Sequence, residues 1–179
     1  MTKSFSDLGI NEQLNQGLAD LQISVPTDIQ EKTIPVVLNQ KEDLVALAKT
    51  GTGKTAAFGL PLLQLINIED TNVQVVILAP TRELGHQIHA NLISFASQSP
   101  AISIAAVCGG IPIKPQMERL KTATQIVVAT PGRLVDLIKR GAINIRNIKY
   151  LVLDEADEMV SALKIDLDLI IKDIPKSRR

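Results

Sequence analysis

Hydrophobic positions along the chain follow two rhythms. Short, mostly apolar runs at 44–47, 73–79, 102–107, 125–129 and 149–153 have the length of strands. Between them, apolar residues recur every three or four positions, the spacing of helices. Leu14, Leu18 and Leu21 mark a helix over 11–21, a second segment covers 55–65, and Ile88, Leu92 and Phe95 give the buried face of a helix reaching about residue 96. A short helix is expected through Met117 and Leu120, another from Pro131 to about Arg140, and one or two more over 159–174. Runs that do not alternate with polar residues, separated by helices, predict an α/β protein with a parallel sheet buried on both faces.

Boundary residues agree with this outline. Thr27 stands as N-cap and Asp28 in the first turn of a helix that Pro35 is expected to close. Thr81 caps the helix that follows the second apolar run. Pro131 sits at a first helical position and Gly141 just past that helix's end. His86 and His89 share one helix at i and i+3, but with no third ligand in view they are expected to be surface residues. Asp166, Asp168 and Lys172 are expected on a solvated face. With no repeat, low-complexity tract or linker, residues 1–179 are expected to form one domain.

Composition narrows the chemistry. Nineteen basic residues balance nineteen acidic ones, so no global positive field announces nucleic acid or a membrane surface, and any such site must be local. Cys108, the sole cysteine, lies beside an apolar run and is expected to be a core residue. No apolar run nears the roughly 18 residues of a membrane span and no leader pattern opens the chain, so a cytoplasmic protein is expected. Three phenylalanines and one tyrosine are too few for base-stacking platforms, so a bound nucleic acid would be held by its backbone.

The strongest candidate site is Ala48-Lys49-Thr50-Gly51-Thr52-Gly53-Lys54-Thr55, between the run at 44–47 and a helix. A strand that passes through glycines into a helix presents backbone N–H groups that cradle phosphate oxygens. Lys54 is placed for the terminal phosphates and the Thr55 hydroxyl for Mg²⁺. The second candidate is Asp154-Glu155-Ala156-Asp157 at the end of the run 149–153. Asp154 suits the metal and Glu155 the activation of a water that attacks a γ-phosphate. A third set sits where strands run into turns: Thr81 and Arg82, Gly109 and Gly110, and Thr130-Pro131-Gly132-Arg133, all suited to a phosphate backbone. The Gln30 carboxamide, with a donor and an acceptor, matches the N6/N7 edge of adenine, beside its plainer reading as a helix residue.

With these stretches in hand, the sequence resembles the amino-terminal RecA-like domain of the DEAD-box ATP-dependent RNA helicases. Phe5 with Pro26-Thr27-Asp28-Ile29-Gln30 is similar to the adenine-reading Q motif, giving a Q-motif region over 1–38. Residues 48–55 resemble motif I and Asp154-Glu155-Ala156-Asp157 motif II. Pro80-Thr81-Arg82-Glu83-Leu84, Gly109-Gly110 and Thr130-Pro131-Gly132-Arg133 resemble the RNA-backbone motifs. The resemblance implies a three-layer αβα P-loop fold with a mainly parallel sheet, and ATP held by Phe5, Thr27, Gln30 and residues 48–55. It further implies Mg²⁺ held by Thr55 and Asp154 partly through water, catalysis by Lys54, Asp154 and Glu155, coupling through Asp157, and RNA bound with little sequence specificity.

Departures accompany the match. Ile23 and Asp28 stand where the family usually has an aromatic and often a proline, and Ala162-Leu163-Lys164 replaces the common Met-Gly-Phe. The Ser-Ala-Thr motif and the second RecA-like domain that completes the ATP site have no counterpart in residues 1–179. In the family's topology the Ser-Ala-Thr strand lies between the phosphate-loop and motif II strands, so a central strand is expected to be missing. An isolated domain of this kind is expected to be monomeric, to bind nucleotide and to hydrolyse it poorly. Two rivals stand beside this reading: a nucleotide-gated RNA clamp, and a P-loop ATPase acting on DNA or on a protein partner.

Overall fold

The computed structural model describes residues 3–39, 42–49 and 51–178. The chain groups into two compact units, Met1–Asn67 with Ala90–Ile102, and Ile68–His89 with Ser103–Arg179. Among the described residues the first unit contains α1 (Glu12–Asp20), α2 (Asp28–Asn39) and α3 (Lys54–Leu65). The second contains strands β1 (Val75–Leu78), β2 (Ile104–Val107), β3 (Ile126–Ala129) and β4 (Tyr150–Leu153), with α5 (Ile113–Arg119), α6 (Pro131–Lys139), α7 (Ala156–Ala162) and α8 (Lys164–Asp173). Helix α4 (Arg82–Phe95) starts in the second unit and finishes in the first.

In the first unit, α1 starts where the polar–apolar pattern puts it. Asn11 caps it, its Oδ1 accepting the Leu14 N–H at 3.0 Å. Leu14 and Leu18 bury its apolar stripe, and Gly17 lets it approach the end of α4: a Cβ there would lie 2.5 Å from the Phe95 carbonyl oxygen. Helix α3 is apolar nearly all round, and Leu60, Leu62 and Leu63 are buried. Each such leucine contributes about 1.5–3 kcal/mol through removal from water. Helix α2 packs against α3 and corrects one expectation, because it runs through Pro35 to Asn39. The proline removes one donor from the helix ladder. Burial of Gln30, Thr33 and Ile34 on a single face outweighs that loss, and Asn39 Nδ2 donates to the Pro35 carbonyl at 2.9 Å.

The second correction concerns residues 44–47, expected to be the strand that leads into the phosphate loop. They form no strand, and Val45 and Leu47 are 85% and 90% exposed. A strand exists only where a neighbour takes up its backbone N–H and C=O groups, and no described residue pairs with this run.

The second unit is built on a parallel sheet of order β2-β3-β1-β4. Val75 to Leu78 register with Ile126 to Ala129 on one side and with Tyr150 to Leu153 on the other. Every residue of β1 and β3 is buried, as the unbroken apolar runs predict for interior parallel strands. Among the described residues strand β4 pairs on one side only and is half-buried throughout, so it forms an edge of this sheet. Alternate residues Val76, Leu78, Val127 and Ala129 meet Leu134 and Leu137 of α6, Met159 of α7, and Leu167 and Ile170 of α8 in one core. No helix among the described residues is long and apolar enough to cross a membrane.

Candidate functional site

In the first unit the phosphate loop is tied to the start of α2. Gly51 and Gly53 both have positive φ, +83° and +86°, the region where a Cβ is strained, and Gly53 is the N-cap of α3. Two bonds fasten the loop. Gln30 Nε2 donates to the Gly53 carbonyl at 3.1 Å, and the Thr27 hydroxyl donates to the Thr52 carbonyl at 2.9 Å. Gln30 Oε1 accepts the Thr27 N–H at 2.9 Å, so the buried carboxamide, 4% exposed, uses both its ends. Thr27 therefore does not cap α2 with its own hydroxyl. Its N–H is satisfied from inside the helix, as in the return half of a capping box, and the hydroxyl is released to the loop. The Thr52 hydroxyl closes the turn by donating to the Lys49 carbonyl at 2.7 Å.

Beside this loop lies an open pocket of about 530 Å³ lined by Thr27, Asp28, Ile29, Lys32, Leu47, Ala48, Lys49 and Thr52. Its size falls in the range of small-molecule sites. Lys54 and Thr55 open α3, where the positive end of the helix favours anions. Thr50, expected in the same loop, lies outside the described residues. Phe5 is in the core at 2% exposure and is not part of the pocket wall. Asp28, Ile29, Lys32 and Leu47 are wall residues that sequence reasoning did not single out as contacts. Helical spacing puts Lys32 one turn beyond Asp28, and nothing else in the sequence marks it.

In the second unit, parallel pairing brings the carboxyl ends of all four strands to one edge of the sheet. Such an edge is where open α/β sheets place their ligands. Strand β4 delivers Asp154, which is 8% exposed; its N–H donates to the Leu78 carbonyl and its Oδ1 accepts the Glu155 N–H at 3.1 Å. Glu155 has φ 55° and ψ 49°, a left-handed conformation that non-glycine residues adopt at a cost. Half-buried and held ahead of α7, its side chain is directed by a strained backbone of the kind that gathers at reactive positions. Asp157 is exposed in the first turn of α7.

The residues expected to meet RNA form one cluster at that edge. The Gly109 N–H donates to the Thr130 hydroxyl at 3.1 Å, so this hydroxyl holds the neighbouring turn and not the start of α6. Arg82 lies against Gly110, where an added Cβ would sit 3.0 Å from Nη1. Its Nε also pairs with Glu83 at 2.5 Å, a bond that raises the guanidinium pKa and lowers that of the carboxyl. Arg133 Nη2 donates to the Ile111 carbonyl at 2.8 Å. Thr81 caps α4 by accepting the Leu84 N–H at 3.2 Å. Pro131 is buried as the first residue of α6, and Gly132 is exposed.

Two flanking residues complete the picture. Cys108 is fully buried beneath the turn, where loss of solvation pushes its thiol pKa up and keeps it unreactive. His89, expected at the surface, is half-buried, with Nε2 3.4 Å from the Ile104 carbonyl.

The chain is similar to known proteins over nearly its whole length. A probable ATP-dependent RNA helicase of Methanocaldococcus jannaschii is 42% identical over 177 residues, which are 98% of this chain and 47% of that protein. The crystal structure of a DEAD box protein from the hyperthermophile Methanococcus jannaschii superposes over 100% of this chain and 49% of its own, with a TM-score of 0.91 and 38% identity. S. cerevisiae Dbp5 bound to RNA and ADP BeF3 superposes over 99% of this chain and 45% of its own, with a TM-score of 0.89 and 32% identity. The expected RecA-like α/β fold is thus the observed one, and the chain spans between 28% and 47% of the length of these curated relatives. The sequence model of DEAD/DEAH box helicases matches residues 27–179, from the threonine that reaches the phosphate loop to the end of the chain. With that match and these relatives, the chain belongs to the DEAD/DEAH box helicase family.

Proposed function

We propose that residues 1–179 are the amino-terminal RecA-like domain, the ATP- and RNA-binding half, of an ATP-dependent RNA helicase that couples ATP hydrolysis to local unwinding or remodelling of RNA. The carrying observation is the pair of bonds from Thr27 and Gln30 into the loop at 51–53, which joins the segment that resembles the adenine-reading motif to the one that resembles a phosphate loop. The names of the relatives support RNA as the polymer, and the solved structure of S. cerevisiae Dbp5 contains RNA and ADP BeF3.

The roles follow from chemistry. Residues 48–55 with Thr27 and Gln30 hold the nucleotide, and Lys54 offers a point charge to its terminal phosphates. Mg²⁺ takes oxygen ligands, and the Thr55 hydroxyl and the buried Asp154 carboxylate are the groups of this chain that would hold it, directly or through water. Glu155 orients or deprotonates the attacking water, and Asp157 couples this motif to others in the longer protein. Arg82, Gly109, Gly110, Thr130 and Arg133 hold an RNA backbone with little sequence specificity. A second RecA-like domain supplies the transition-state arginines. Such groups are worth about 10³–10⁵ in rate in related phosphoryl transfers, so residues 1–179 alone turn ATP over very slowly and unwind nothing. The proposed location is the cytoplasm.

Calorimetric titration of residues 1–179 with Mg-ADP and with Mg-GDP, repeated on Gln30→Ala, tests this reading. A preference for ADP that disappears in the variant supports it. A folded protein that binds neither nucleotide overturns it.

A further inference from the structure

The turn between β2 and α5 is pinned from below by a residue to which no role has been given. Gln116 of α5 is 6% exposed, and its Nε2 donates to the Cys108 carbonyl at 3.1 Å. Arg133 holds the carbonyl of Ile111 three residues on. The span 108–111, which contains Gly109 and Gly110, is therefore anchored at both ends by side chains from two different helices.

Each anchor also carries a buried group that is not used. Gln116 Oε1 and Arg133 Nη1 are shielded from solvent and have no hydrogen-bond partner among the described residues. Leaving a buried polar atom unpaired costs about 1–3 kcal/mol, so the idle Oε1 offsets part of what the Nε2 bond to the Cys108 carbonyl contributes. The polar amide serves the turn, since its one bond sets the Cys108 carbonyl and with it the direction of the peptide groups that follow. At Gly110 the backbone takes φ +79° against Arg82, so a small rotation at residue 108 changes where the N–H groups of the turn point.

We infer that Gln116 is a positioning residue for the bound RNA strand, acting through the Gly109–Gly110 turn without touching the strand. This rests on the reading of that turn as an RNA-backbone contact. Arg133 works in the same way at the other end, as well as by its charge.

The test uses anisotropy of a fluorescein-labelled single-stranded oligouridine at low salt, calorimetry with Mg-ADP, and thermal melts. Gln116→Met keeps the length and removes both polar ends. It weakens RNA binding roughly three- to tenfold, the loss of one good hydrogen bond, leaves ADP affinity within about twofold, and lowers the melting temperature by no more than the loss of one buried hydrogen bond. Gln116→Glu, which replaces the donor to Cys108 by a carboxylate oxygen and adds a negative charge, weakens RNA binding at least as much. The double variant Gln116→Met with Arg133→Met loses less than the product of the single losses, because both act on one turn. Unchanged RNA affinity in both Gln116 variants overturns the inference. So does a loss of RNA binding matched by lost ADP binding and a larger fall in melting temperature, which marks a merely structural residue. Absence of RNA binding by the unsubstituted protein, with ADP still bound, overturns the reading of the turn as an RNA contact and the inference with it.

Discussion

A Cβ on Gly53 would lie 2.3 Å from the Nε2 of Gln30, the nitrogen that donates to the Gly53 carbonyl. Glycine is thus required at 53 by its own φ of +86° and again by the close approach of the Gln30 amide. Gly51 meets only the first demand, because nothing lies within 4 Å of its Cβ position. Gly51→Ala should cost about 1–2 kcal/mol, the penalty of a left-handed alanine. Gly53→Ala should cost more than that and abolish ADP binding, because the Gln30 bond must break. Denaturant unfolding and ADP titration of both variants check the ranking, and equal effects would contradict it.

Glu155 combines a proposed catalytic carboxylate with a left-handed backbone. Glycine accepts that conformation freely and asparagine nearly so. Glu155→Gly and Glu155→Asn should therefore stabilise the protein by up to about 1 kcal/mol, while the full-length helicase proposed above should lose roughly 10²–10⁴ in ATP turnover. Glu155→Gln should match the loss of turnover without the gain in stability. Thermal melts of residues 1–179 beside turnover by that full-length helicase separate the two effects.

Gly17 sets helix propensity against packing. Alanine in mid-helix is favoured over glycine by about 1 kcal/mol. Its methyl would sit 2.5 Å from the Phe95 carbonyl oxygen, a rigid backbone atom, and such overpacking typically costs about 1–3 kcal/mol. Packing should win, so Gly17→Ala lowers the denaturation midpoint. A raised midpoint would show that the end of α4 yields easily.

His89 predicts a pH dependence. Burial depresses its pKa below the ordinary 6.5, helped by the charges of His86 and Arg119 and opposed by the bond to the Ile104 carbonyl. The unfolded imidazole takes up its proton near 6.5 and the folded one only at lower pH. Between those two values the unfolded state holds more protons, so stability rises with pH. The protein should be fully stable with respect to this group above about 6.5 and lose stability as the pH falls below it. His89→Gln should show a smaller drop in melting temperature between about pH 7.5 and pH 5.5 than the unsubstituted protein.

Much of the fold was legible because local chemistry and tertiary context agree. Asn11 caps α1, Pro131 opens α6, and the runs at 73–79 and 125–129 become strands buried on both sides. Disagreement arose where an element depends on a distant partner. The run at 44–47 is as apolar as any strand in the chain, yet no described residue pairs with it and it stays exposed. Pro35 is a stop signal by local rules, overridden by the face that α2 packs against α3.

Of the candidate site, residue type and spacing along the chain alone marked the phosphate loop, the acidic strand end and the turns of the RNA-backbone set, because each is a local sequence of donors or of carboxylate acceptors. What those residues do to one another was decided only by folding. Gln30 reaches Gly53 across 23 positions, Gly109 reaches Thr130 across 21, and Gln116 turns back onto Cys108. Such pairings depend on which strands become neighbours and on how helices pack, and no periodicity in the sequence encodes either. The sequence therefore determined which groups were available for phosphate chemistry, and tertiary hydrogen bonding decided which stay free and which hold the others in place.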